Sequence, residues 1–144
     1  MTRNAKVKVD DYYENENKIF LSATHSAYKR LSSPVFHTRN IEYFKDNSTF
    51  IIRDKLFGKG SHAFEVLFHF AENIDLDIMK KNSVKVFGLD IDLALSFKSN
   101  SKFEIKLEPT FISKSYGDMI ESKLLSIKSI SDCPFELETL IKSN

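Results

Sequence analysis

With 144 residues, the chain fits one domain long enough to bury a core. A net charge of +1, with 42% hydrophobic and 28% charged residues, describes an ordinary globular composition and gives no general pull toward nucleic acid or an anionic membrane. Cys133 is the only cysteine, which excludes an internal disulfide, and no apolar run approaches the ~20 residues of a membrane-spanning helix.

The opening Met1-Thr2-Arg3-Asn4-Ala5-Lys6 lacks the apolar core of an export leader. From there a two-residue rhythm dominates. Val7 and Val9 begin a strand, and 10–17 reads as an acidic, polar connection carrying two tyrosines. Residues 18–24 are extended. After a basic, aromatic stretch, Ser32-Ser33-Pro34 breaks the chain, and 35–44 runs extended again. Asp46-Asn47-Ser48 is a hairpin turn before a strand at 50–53, and Gly58-Lys59-Gly60-Ser61 is a second. Phe64, Val66, Phe68 and Phe70 then share one strand face, with Glu65, Leu67 and His69 on the other. Residues 74–82 are the one place for a helical turn.

Strands follow at 83–87 and at 89–97, where Leu89, Ile91, Leu93, Leu95 and Phe97 alternate with Asp90, Asp92, Ala94 and Ser96. Residues 98–101 turn. Phe103, Ile105 and Leu107 alternate with Glu104, Lys106 and Glu108, and 123–130 and 135–141 complete the set. The pattern predicts an all-β fold, an antiparallel β-sandwich of about ten strands, with 1–144 as a single domain. One open sheet would leave too many of the 13 phenylalanines in water.

Several chemistries lack their motifs. There is no Gly-x-Ser-x-Gly elbow, phosphate-binding glycine loop, His-Glu-x-x-His helix or Cys-x-x-Cys pair. Cys133, next to Pro134, reads as an idle thiol. Asp75/Asp77 and Asp90/Asp92 each point to one side of a strand, ~7 Å apart. They read as solvated faces, because calcium needs six or more oxygens.

The stretch from His25 to Tyr43 is different. In its second half Val35, His37, Arg39, Ile41 and Tyr43 share a face, so a histidine and an arginine sit between apolar neighbours. Burying either requires a partner. Arg39 offers a planar fork for carboxylate or sulfate, and His37 can relay a proton. Tyr28 and Arg30 form a second polar pair if the chain is extended there, with His25 one residue out of register. Two readings stand. One is an anion-binding ledge. The other is structural, with Arg39 bonded to an acid such as Glu42 or Asp54 and His37 bonded to backbone.

In order and spacing, His25, Tyr28, Arg30, Leu31, His37, Arg39, Asp54, Gly58, Gly60, His62 and the strand 64–70 resemble the C-terminal β-sandwich region of heparinase II/III-like polysaccharide lyases. The late Ser113, Tyr116, Gly117, Pro134 and Thr139 fit as well, while Ala27 stands where the family commonly has glycine. The match begins near Arg3.

The resemblance implies the C-terminal part of a larger lyase, without its α-helical toroid, which would carry the catalytic residues. It implies no catalytic residue in this chain. It also implies no cofactor here, with zinc in the full-length parent held by segments preceding this region. The substrate class would be an acidic, uronic-acid polysaccharide, cut by β-elimination in the parent. His25, Tyr28, Arg30, His37 and Arg39 would line one wall of the cleft. Periplasmic or secreted placement follows if the parent resembles exported members. The alternatives are a non-catalytic module for acidic carbohydrate and a protein-interaction scaffold, including a homodimer through an exposed sheet face.

Overall fold

The computed structural model describes residues 6–80 and 82–144; residues 1–5, on which the reading of the opening segment and the first matched positions fall, and residue 81 lie outside the described residues. Among the described residues the alternating apolar rhythm becomes eleven strands. They are β1 (Val7–Glu14), β2 (Lys18–His25), β3 (Val35–Phe44), β4 (Thr49–Gly58), β5 (Ser61–His69) and β6 (Asp75–Lys80). There follow β7 (Ser83–Gly88), β8 (Ile91–Ser99), β9 (Glu104–Ile112), β10 (Ile120–Asp132) and β11 (Phe135–Ser143). Eight strands form one antiparallel sheet in the order β1-β2-β3-β4-β11-β8-β7-β6. The other three form a second sheet, β5-β10-β9. The antiparallel sandwich is the fold that the sequence predicts.

The layers meet through alternate residues. Leu76, Val84, Val86, Leu95, Phe97, Phe135 and Leu137 of the large sheet bury against Phe64, Val66, Leu125 and Ile127 of the small one. Phe64 and Phe135 stack across the gap with ring centroids 4.8 Å apart. Cys133 packs against this core, and burial, then the neighbouring Asp132 charge, pushes its thiol pKa up. A thiol so held is a poor nucleophile, as expected of an idle one.

Three local expectations are corrected. Residues 75–80 form a strand, because Ile74, Leu76 and Ile78 alternate with Asp75 and Asp77, and Ile74 and Leu76 bury to 6% exposure each. Second, β1 continues through Glu14, across the segment read as a connection. A register shift between Val9 and Asp11 changes the rhythm there and hides the strand. Third, Ala27–Arg30 is a single 3-10 turn, so Tyr28 and Arg30 are not an extended pair.

A tight backbone approach lies at Gly58. A Cβ there would come within 2.2 Å of the Pro34 carbonyl oxygen, so only glycine lets the Ser-Ser-Pro break lie against the end of β4. That contact sets where β3 begins. Among the described residues no helix is long and apolar enough to cross a membrane.

Eight strands under three leave half of the large sheet's inner face uncovered. Paired residues share a face. The buried row of β11 and β8 therefore continues outward through Ile52 and Phe50 on β4, Ile41 and Tyr43 on β3, and Ile19, Leu21 and Ala23 on β2. It ends on β1 at Val7, Val9 and Tyr12, which are 69%, 60% and 57% exposed. This face is apolar along its middle rows and is interrupted at one end by His25, His37, Arg39 and Asp54.

Candidate functional site

The uncovered half carries the cluster singled out in the sequence. Hairpin pairing sets Arg39 opposite Asp54, and the β2–β3 ladder sets His25 opposite His37. The side chains then converge. Arg39 donates from Nε to Asp54 Oδ1 at 2.7 Å and from Nη2 to Oδ2 at 3.0 Å. His37 Nε2 lies 2.5 Å from the same Oδ1. His37 Nδ1 lies 2.9 Å from His25 Nε2, and His25 Nδ1 accepts from the Ala27 amide at 3.3 Å.

Asp54 is the hub. Its side chain is fully enclosed, at 0% exposure. Burial by itself raises the carboxyl pKa, but hydrogen bonds from His37 and Arg39, and the Arg39 charge, outweigh it and hold Asp54 below the usual carboxylate range. His25 moves the other way for a base: burial first, then the facing His37 and Arg39, lower its pKa. The structural reading of Arg39 thus holds for its acid partner, and His37 takes that same acid where a backbone partner was expected.

Tyr28 tilts its ring over His25, with centroids 5.3 Å apart, and is 40% exposed. It comes there on the 3-10 turn, which packs against β3. Arg30 sits at the end of that turn, exposed, and among the described residues neither Lys29 nor Arg30 has a carboxylate partner. Arg39 remains 41% exposed, and its Nη1 is not part of the Asp54 fork. Of the five predicted residues, His25, His37 and Arg39 form one bonded network, Tyr28 joins through its ring, and Arg30 stands beside it on the turn.

Two features escaped the sequence reading. One is that Asp54, named only beside Glu42 as a possible partner of Arg39, is shared with His37; counting back from the hairpin turn at 45–48 would have chosen it over Glu42. The other lies on the outer face of the same strands. There Lys18 donates to Glu42 at 2.8 Å, Arg53 bonds Glu42 and reaches Glu138 at 2.8 Å, and Lys55 pairs with Glu136 at 3.0 Å. A shallow depression lined by Asn40, Arg53, Lys55, Lys98, Glu136 and Glu138 opens on that side. Arg53 and Lys55 are already neutralised there, which leaves little charge for an acidic ligand.

Among the described residues no group of three or more His, Cys, Asp or Glu side chains is arranged to hold a metal ion. The nearest, His25–His37–Asp54, commits both nitrogens of His37 to hydrogen bonds, so it does not fit zinc.

Comparison with known proteins shows what the fold is similar to. The chain superimposes on the heparinase III BT4657 gene product with a TM-score of 0.80 at 13% identity, covering 96% of this chain and 22% of that one. Against heparan sulfate lyase HepC from Pedobacter heparinus the TM-score is 0.80 at 15% identity, again over 96% of this chain and 22% of that chain. A 4-alpha-glucanotransferase from Thermococcus litoralis shares the architecture more loosely, with a TM-score of 0.56 at 15% identity over 93% of this chain and 22% of that one. At such identities the likeness is one of fold. The chain spans about a fifth of the length of these solved structures. None of the curated proteins matches it in sequence. The family model described as heparinase II/III-like, C-terminal, matches residues 1–137, almost the whole sequence. The chain belongs to the heparinase II/III-like C-terminal family.

Proposed function

We propose that this chain is the C-terminal β-sandwich unit of a larger polysaccharide lyase that cleaves uronic-acid polysaccharides by β-elimination, and that alone it does not cleave. The observation that carries this reading is the uncovered half of the inner face, apolar across β1 to β4 and basic at the 3-10 turn. The rest of such an enzyme, with its α-helical toroid, would lie on that face. Tyr28, Arg30 and the outward edge of Arg39 would meet a sugar carboxylate or sulfate, with His25 and His37 holding them in place.

β-Elimination needs the uronate carboxylate neutralised, a base at the adjacent carbon and an acid at the leaving oxygen, each within about 3 Å of its target. Arg30 and Arg39 suit the first role. Neither histidine suits the second, since His25 and His37 each have both ring nitrogens occupied within the network. This supports a wall without its own base.

A second reading, a docking or homodimer scaffold without chemistry, is favoured by the exposed Val7, Val9 and Tyr12 on the edge strand β1.

When the purified chain is mixed with heparan sulfate, chondroitin or alginate, unsaturated-uronate absorbance is expected to stay flat. Titration with a heparan sulfate oligosaccharide is expected to show salt-sensitive binding, weakened roughly fivefold by Arg30→Ala, about 1 kcal/mol. Cleavage by the chain alone would refute its inactivity, and absence of heat with every uronate oligomer would refute the carbohydrate contact.

A further inference from the structure

The hydrogen bonds among His25, His37 and Asp54 run in one direction only. Asp54 is held as a carboxylate by the two-pronged Arg39 fork and can only accept. The His37 nitrogen facing it, Nε2, must therefore carry the hydrogen. With its hydrogen on Nε2, His37 can accept at Nδ1, and His25 then donates from Nε2 across 2.9 Å. That leaves the His25 lone pair at Nδ1, where the Ala27 amide donates at 3.3 Å. Ala27 opens the 3-10 turn that carries Tyr28 and Arg30.

One added proton upsets this order. On His37 it places a hydrogen on Nδ1, facing the hydrogen of His25. The conflict is relieved if His25 turns acceptor at Nε2 and carries its hydrogen at Nδ1. That hydrogen now faces the Ala27 amide, donor against donor. A proton placed on His25 directly meets the same amide. By either route the misfit arrives at the Ala27 bond, at 3.3 Å the longest of this relay and the one that ties the ring to the start of the turn.

We propose that residues 26–31 are a proton-gated latch: closed while His25 accepts from the Ala27 amide at Nδ1, and released when His25 carries a hydrogen there. Release frees Tyr28 and Arg30 from their fixed place on the wall, so acidification changes the surface offered to an acidic ligand. The consequence for a ligand rests on the function proposed above; the latch itself does not.

The groups facing the pair are few. His25 meets His37 and Arg39 from β3 and Tyr28 from the turn. His37 meets His25 from β2 and Asp54 from β4. From β1, the residue opposite His25 is Val7, which does not titrate. The sign follows. Burial, then the facing His37 and Arg39, keep His25 below its ordinary value of 6.5, so exposing its ring binds a proton. The latch is therefore secure above that value and loosens as pH falls through it.

The test uses the full chain without glycan, so its failure is separate from failure of the lyase reading. Ring-nitrogen NMR at about pH 8 is expected to show both histidines protonated at Nε2 only. On titration to about pH 5.5, hydrogen-exchange protection of the Ala27 amide is expected to fall roughly tenfold, with the Tyr28 and Arg30 signals titrating alongside His25. His25→Phe keeps a ring under Tyr28 but cannot titrate, and its turn is expected to lose that pH dependence. A hydrogen on His25 Nδ1 at about pH 8 would overturn the proposal. So would a His25 that titrates while Ala27 protection, corrected for intrinsic exchange, stays constant. The wild-type measurements decide the matter even if the variant fails to fold.

Discussion

Phe135→Ala is expected to cost about 3–5 kcal/mol of unfolding free energy. Phe135 is 1% exposed, opens β11 at the centre of the large sheet, and stacks on Phe64 of the small one with planes only 9° apart. Truncation removes a full aromatic side chain from between the layers. It leaves a cavity that neighbours fixed by two sheets of backbone hydrogen bonds cannot fill. Urea unfolding followed by circular dichroism measures it, with Ile130→Ala as the contrast. Ile130 is 83% exposed, and its truncation is expected to stay within about 0.5 kcal/mol. Equal effects at the two positions would mean that the layers do not meet at Phe135.

Asp54→Ala is the second large effect. Removing the enclosed carboxylate strands the His37 Nε2 hydrogen and the Arg39 Nε and Nη2 hydrogens together. Breaking a buried ion pair from one side costs about 3–5 kcal/mol. Arg39 is 41% exposed and water can reach its outer edge, so about 2–4 kcal/mol is expected here. Arg39→Leu combined with Asp54→Ala is expected to lose less than the two single changes added together, since each single change already breaks the shared fork. The pH dependence has a definite sign. Asp54 has a depressed folded pKa, so its contribution is present above the unfolded value of 3.8 and disappears as pH falls through the folded value. Wild type is therefore expected to lose more stability than Asp54→Ala across that acid range. A loss below about 0.5 kcal/mol for Asp54→Ala at neutral pH would show that the hub is solvated and idle.

Much of this was written in the alternation of apolar residues. The faces of β5, β8 and β9 can be read directly from Phe64 to Phe70, Ile91 to Phe97 and Phe103 to Leu107. The strand β6 carried the same signal in Ile74, Leu76 and Ile78, but its interleaved aspartates have low strand preference and masked it. In β1 the irregular pairing at Asp10 moved the rhythm by one residue, so its second half looked like a connection. The shared face of His37 and Arg39 was legible because both lie on one strand. Asp54 was harder to assign, since it joins them only through hairpin register. The 3-10 turn at Ala27–Arg30 is too short to leave a periodic trace.

The mismatch of eight strands against three could not be read at all. An alternating strand declares that it buries one face, and says nothing about which layer provides the cover. Val7, Val9 and Leu21 have the same apolar character as Leu95 and Phe97, yet only the last two are enclosed within this chain. That difference is the physical basis for assigning a partner to the β1–β4 face.

Backbone amide NMR of the chain during addition of a heparan sulfate oligosaccharide tests that assignment most directly. Signals of the 3-10 turn and the inner face, at Tyr28, Arg30 and Arg39, are expected to move in proportion to ligand. Those around the outer charge ladder, at Arg53, Lys55 and Glu138, are expected to stay in place. Movement confined to the outer ladder would contradict the account, and the wall would then have to be sought on the opposite side of the sheet.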